Sequence, residues 1–168
     1  IMKKSILAIL IAAVTVTGCT QKLLNDKSNI NMEKTLQLTQ EWDKTFAKSD
    51  KVQHKKVTFH NRYGITLAAD MYIPIAIPEG GKFAAIAVSG PFGAVKEQSS
   101  GLYAHHLAER GFMTIAFDPS FTGESGGEPR RVASPDINTE DFLAAVDFLS
   151  NLDNVDSERI GIVGICGF

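Results

Sequence analysis

The run Ile160-Gly161-Ile162-Val163-Gly164-Ile165 leads directly into Cys166, and glycines at 164 and 167 bracket that cysteine. Six residues without a charge, rich in β-branched side chains, suit a strand buried on both faces of a sheet. The bracketing glycines let the chain turn sharply at the strand end, where a positive φ is tolerated. Such a turn lifts the cysteine to the tip, at the start of the next helix, where the dipole favours negative charge. On this motif alone two readings stand. Cys166 is a nucleophile on a strand-to-helix turn, or a small buried cysteine closing a strand.

The preceding residues set the context. Strand-like runs at 57–60 and 65–73 flank Asn61-Arg62-Tyr63-Gly64, a short glycine-containing link that predicts a hairpin. The apolar runs 83–88 and 112–117 read as further buried strands. Between them residues 99–110 predict a helix with Leu102, Tyr103, His106 and Leu107 on or near its apolar face, stopped by Gly111. Residues 138–152 predict a second helix through Phe142, Val146 and Leu149, and Asp156-Ser157-Glu158-Arg159 turns the chain into the final strand. Strands alternating with helices imply the α/β class, with right-handed crossovers and a parallel sheet.

Composition narrows the function. With 17 Lys and Arg against 19 Asp and Glu in 168 residues, the net charge of −2 offers no basic stripe for nucleic acid. Two cysteines do not make a disulfide framework. No Cys or His pair shows zinc-ligand spacing, and adjacent His105 and His106 diverge by ~100° on a helix. Neither a metal nor an organic cofactor is expected.

The amino terminus reads as an address. Lys3 and Lys4 precede an apolar stretch well short of the ~20 residues that cross a bilayer. It ends in Val16-Thr17-Gly18-Cys19, which resembles the bacterial lipobox. That resemblance implies a lipoprotein signal peptide over 1–18 and a lipidated Cys19. Acyl chains there would hold the protein in the bacterial cell envelope, on the periplasmic face of the outer membrane or the outer face of the plasma membrane. Residues 19–50 are expected to form a tether and a helix lined by Met32, Leu36, Leu38, Trp42 and Phe46, with Trp42 a packing residue. Residues 51–168 form the α/β domain.

Two segments compete as nucleophile elbow. Gly123-Glu124-Ser125-Gly126-Gly127 fits the G-x-S-x-G pattern, but no strand enters it and Pro129 and Pro135 come after it. Ser125 therefore belongs to a loop. Gly164-Ile165-Cys166-Gly167-Phe168 has the strand. From Lys55 to Phe168 the order of elements resembles the α/β-hydrolase fold in its dienelactone-hydrolase-like and Xaa-Pro-peptidase-like branches. The resemblance implies that Cys166 is the nucleophile of a hydrolase acting on an ester, lactone or amide carbonyl of a small molecule or peptide. It also implies oxyanion-hole N–H groups from Phe92, in the loop Val88-Ser89-Gly90-Pro91-Phe92-Gly93, and from Gly167. Asp118-Pro119-Ser120-Phe121-Thr122-Gly123 fits the family's loop after the fourth strand, which makes Ser125 structural. Dienelactone hydrolase carries a Glu at the end of its third strand, where this chain has Ser89-Gly90, with Glu97 further along the loop.

The family places its triad acid and histidine after the elbow. Asp118, Asp136, Glu140, Asp141, His54, His60, His105 and His106 all precede it. The expectation is the amino-terminal part of the fold, ending at the elbow, with little activity alone and an unpaired edge on the elbow strand. The alternative is a non-catalytic lipoprotein that uses the scaffold for binding. A dinucleotide-binding reading fails on spacing, because Gly161, Gly164 and Gly167 give G-x-x-G-x-x-G.

Overall fold

A computed structural model describes residues 36–166. The signal peptide, Cys19, Gly167 and Phe168 lie outside the described residues, as does the part of the expected tether and helix before residue 36. The elements are β1 (Val52–His60), β2 (Thr66–Pro74), β3 (Phe83–Ser89), α1 (Ser99–Ala108), β4 (Met113–Phe117), α2 (Pro135–Ser150) and β5 (Val155–Gly164). They build one five-stranded sheet in the order β1-β2-β4-β3-β5. The hairpin β1–β2 is antiparallel, β2 meets β4 antiparallel, and β3 runs parallel to both β4 and β5. Among the described residues no helix is long and apolar enough to cross a membrane.

The hairpin turn is set by Asn61. Its Oδ1 accepts the N–H groups of Tyr63 and Ile65, both at 3.0 Å, and Gly64 supplies φ +74°. The Asn61 Nδ2 then donates to Asp141 Oδ1 at 2.8 Å and Ser120 Oγ at 3.2 Å. Asp141, fully buried in α2, also accepts the Ser120 N–H at 2.7 Å. One carboxylate thus joins the hairpin, the loop after β4 and α2. A buried acceptor so satisfied is part of the scaffold.

The sheet separates two cores. Leu67, Ala69, Met71, Ile115 and Phe117 pack with Ala145 and Leu149 of α2. Tyr72, Val88 and Ala116 pack with Ala104 and Ala108 of α1. The face that α1 buries differs from the one expected. Leu102 and Tyr103 are exposed, whereas Gly101, Ala104, His105 and Ala108 face inward. Closeness explains the choice: a Cβ on Gly101 would stand 2.2 Å from Lys96 O and 3.2 Å from Tyr72 Oη. A stripe of small residues admits the helix where leucine or tyrosine would hold it off.

Two other expectations are corrected. Residues 36–50 form no helix. Trp42 Nε1 donates to Phe46 O at 2.7 Å, closing a turn that stacks both rings edge-on at 5.6 Å, and both pack on the α1-side core. The segment is a strap held by side chains, and it belongs to the same compact unit as the sheet. β5 begins at Val155 and takes in Asp156 to Arg159 through an irregularity against Phe83 and Ala85. It is the outermost strand described, and Ile162 is 59% exposed. β4, paired on both sides, is buried throughout.

Gly101→Ala is expected to destabilise the fold by about 1–3 kcal/mol, because the added methyl meets a backbone carbonyl that cannot yield. A urea midpoint equal to that of the parent chain would show that α1 does not approach the sheet this closely.

Candidate active site

β5 ends at Gly164, and the next amide, Ile165 N–H, donates to Ser89 O at 3.1 Å. That bond holds the turn after β5 beside the loop after β3. Cys166 comes next with φ +54° and an exposed side chain. A non-glycine residue there stores strain of about 1–3 kcal/mol, and such strain concentrates at functional turns. Among the described residues the thiol follows Ile165, one residue past the end of β5, and is exposed.

The loop after β3 faces a cleft of about 930 Å³ lined by Phe92, Val95, Phe121, Thr122, Arg130 and Arg131 among others. Cys166 does not line it. Phe92 is 53% exposed. Phe121 and Arg131 also have positive φ, at 70° and 61°, and Arg131 N–H donates to Phe121 O at 2.8 Å. Arg130 is committed to backbone, donating to Gly123 O at 2.7 Å and to Ser125 O. Among the described residues, two of the three strained non-glycine positions shape this cleft, and the third is Cys166.

Beneath the loop lies a group of charges. Lys96 is fully buried, and its Nζ meets Glu97 Oε1 at 2.6 Å, Glu124 Oε2 at 2.7 Å and Asp118 Oδ2 at 2.8 Å. An ammonium has three N–H bonds, so each finds a carboxylate. Lys56 Nζ shares Glu124 Oε2 at 2.7 Å and reaches Asp43 Oδ2 at 3.2 Å. Asp43 pairs with Lys44, which meets Asp70 Oδ2 at 2.9 Å, and Asp70 Oδ1 bonds His54 Nε2 at 2.8 Å. The strap joins as well, through Thr39 N–H to Glu124 Oε1 at 2.6 Å. Burial opposes the charge on Lys96, but Asp118, Glu124 and Glu97 outweigh it and hold the ammonium above its usual value. Burial likewise opposes ionisation of Glu124, yet bonds from Lys56, Lys96 and Thr39 hold its carboxyl down to about 2. For Asp118 burial is the larger effect and pushes the carboxyl up.

These contacts settle the role of several residues. Ser125 is 2% exposed; its Oγ donates to Asp118 O at 2.6 Å and accepts Ala68 N–H at 2.8 Å, so the serine of the G-x-S-x-G match is structural. Gly123 has to be glycine, since a Cβ would lie 2.2 Å from Asp118 Oδ2 and φ is +53°. Glu97 is engaged by the two lysines. Glu140 binds Arg62. His105 and His106 diverge as the helix angle suggested, His105 inward and buried, His106 outward and exposed. Their rings are 5.7 Å apart, and with Glu109 they bring one possible metal-ligand atom each within 4.8 Å of one another. His106 Nδ1 pairs with Glu109 Oε2 at 2.7 Å, while His105 packs near Trp42, Phe46 and Tyr72, where burial lowers its basicity. Sequence reasoning passed over Lys96 altogether. A lysine beside a glutamate just before a helix reads as solvated surface, and only Asp118 and Glu124 arriving from another loop make it internal.

Residues 63–166 match the model of the X-Pro dipeptidyl-peptidase (S15) family. The chain belongs to that family. It is 64% identical over 161 residues to an uncharacterised protein of Pseudomonas aeruginosa, across 94% of this chain and 43% of that one. The crystal structure of the Pseudomonas protein superposes with a TM-score of 0.77 at 71% identity, over 82% of this chain and 42% of that chain. An acyltransferase of Aspergillus calidoustus is 31% identical across 68% of this chain and 36% of its own length. The α/β hydrolase GrgF of Penicillium shares the fold, with a TM-score of 0.60 at 24% identity over 68% of this chain and 38% of that one. The chain thus has an α/β-hydrolase fold and is related to hydrolases, and it spans less than half the length of these relatives.

The Glu124 shift has a pH signature. A carboxyl lowered from 4.5 to about 2 stabilises the fold fully above pH 4.5, and that contribution is lost as pH falls toward 2. Glu124→Gln removes it. The gap in urea midpoint between parent and variant is expected to close progressively from about pH 4.5 downward. A gap that stays constant over this window would contradict the pairing.

Proposed function

We propose that the chain carries the nucleophile and oxyanion side of a cysteine hydrolase that acts on ester, lactone or amide carbonyls of small molecules or peptides. The observation that supports this most directly is the open Cys166 thiol at φ +54°, one residue past the bond joining the ends of β5 and β3. The Cys166 sulfur attacks the carbonyl carbon, and the carbonyl π electrons move onto oxygen. The N–H groups of Phe92 and Gly167 receive that oxyanion, a stabilisation worth roughly 100- to 1000-fold in rate per donor. Collapse expels the alcohol or amine, and water then cleaves the acyl-thioester. The Aspergillus relative's description as an acyltransferase fits a covalent acyl step.

The histidine and acid that would shuttle the proton are proposed to lie beyond residue 168 in the full-length protein, as the relatives' greater length accommodates. This chain alone is then expected to acylate with little or no turnover. Incubation with p-nitrophenyl acetate should add one acetyl group, found on Cys166 by peptide mass spectrometry and absent from Cys166→Ala. Acetylation unchanged in that variant would sink the cysteine-nucleophile reading.

The proposal extends to the address. Cys19 carries the lipid, and the protein sits in the bacterial cell envelope. Cys19→Ser is expected to shift the expressed full-length protein from the membrane pellet to the soluble fraction. An unshifted distribution would overturn the anchor.

A further inference from the structure

We infer that Lys96 is a positioning residue for the oxyanion loop, a role that rests on the reading of Cys166 as nucleophile. Residues 90–95 have two feet. One is Ser89, which belongs to β3 and bonds Phe117 O through Oγ at 3.4 Å and Ile165 N–H through its carbonyl at 3.1 Å. The other is Lys96. Its backbone N–H donates to Asp118 Oδ1 at 2.7 Å and its Nζ to Asp118 Oδ2 at 2.8 Å, so one carboxylate grips both ends of one residue. Asp118 comes directly after β4, and its own N–H bonds Ala68 O in β2 at 3.0 Å, so the grip is anchored to the middle of the sheet. Helix α1 presses on the same foot, where Gly101 packs against Lys96 O.

Between these feet Ala94 N–H donates to Pro91 O at 3.0 Å, and Val95 N–H donates to Gln98 Oε1 at 3.2 Å. The Lys96 clamp fixes the far end of the loop that carries the Phe92 amide. The ammonium does not act by its field at the reacting carbonyl, because three carboxylates already surround it. Its contribution is geometric. Apolar packing could fill the same space and is often no less stable than a buried ion cluster. What the cluster adds is direction: hydrogen bonds at fixed atoms hold the loop in one register.

Two reactions at the same sulfur separate positioning from general damage. Acetylation by p-nitrophenyl acetate forms the S–C(acyl) bond, passes through an oxyanion and releases p-nitrophenolate. Alkylation by iodoacetamide forms an S–CH2 bond, expels iodide and creates no oxyanion. Both are measured in the full-length protein as first-turnover rates. Lys96→Met is expected to slow acetylation by about 100-fold, the cost of one misplaced donor, while leaving alkylation within about twofold. Should that variant fail to fold, the double variant Glu97→Gln with Glu124→Gln loosens the ammonium from its outer anchors. An acetylation loss of about tenfold with unchanged alkylation is then expected. Acetylation at the parent rate in either folded variant, or equal loss of both reactions, overturns the inference. A parent protein that alkylates but never acetylates at Cys166 overturns the nucleophile reading beneath it.

Discussion

The loops after β3 and β4 are joined through the buried ammonium of Lys96. Lys96 brings a positive charge into the interior, and that is tolerable only because carboxylates from three places converge on it. Glu97 is its neighbour in sequence, Asp118 closes β4, and Glu124 lies beyond the next turn. Taking away one partner of such a set leaves a charge uncompensated and typically costs about 3–5 kcal/mol. The loops above β3 and β4 are thus fixed to one another before any substrate arrives. Lys56, Asp43 and Thr39 extend the same arrangement to the hairpin and the strap.

Around that cluster the backbone approaches itself where side chains are missing. Gly101 lets α1 rest against Lys96, and Gly123 lets the loop after β4 fold over Asp118. On the opposite face of the sheet Asp141 does comparable work for neutral donors, drawing Asn61 and Ser120 onto α2. Two carboxylates, one on each side, therefore fix the hairpin turn and the loops after β3 and β4. The turn at Cys166 can hold a left-handed backbone because β3 beside it is itself held on both sides.

Strands were legible because their signal is local. The runs 83–88 and 112–117 are apolar without interruption, and Asn61 to Gly64 is a turn by composition. The cysteine bend was legible for the same reason, as was the rejection of Ser125, which lacks an entering strand. The rest depends on partners distant in sequence. Thr39 meets Glu124 across 85 residues and Lys56 meets Glu124 across 68, so no window of sequence reveals them. The strap at 36–50 carries helix-like spacing, yet the Trp42 indole bonding Phe46 O and the pairing of Lys44 with Asp70 draw it into another shape. The inward face of α1 misled for a related reason: small residues win when the approach is close, and closeness is a property of the sheet.

Ion pairs in this protein fall into two populations that respond differently to ionic strength. Arg62–Glu140, His106–Glu109 and Arg159–Asp156 each have one partner more than half exposed, where mobile ions screen them readily. The Lys96–Asp118 pair has no exposure on either side, and dissolved ions have no route to it. The loop after β3 should therefore keep its place in media ranging from dilute to saline, while the periphery relaxes.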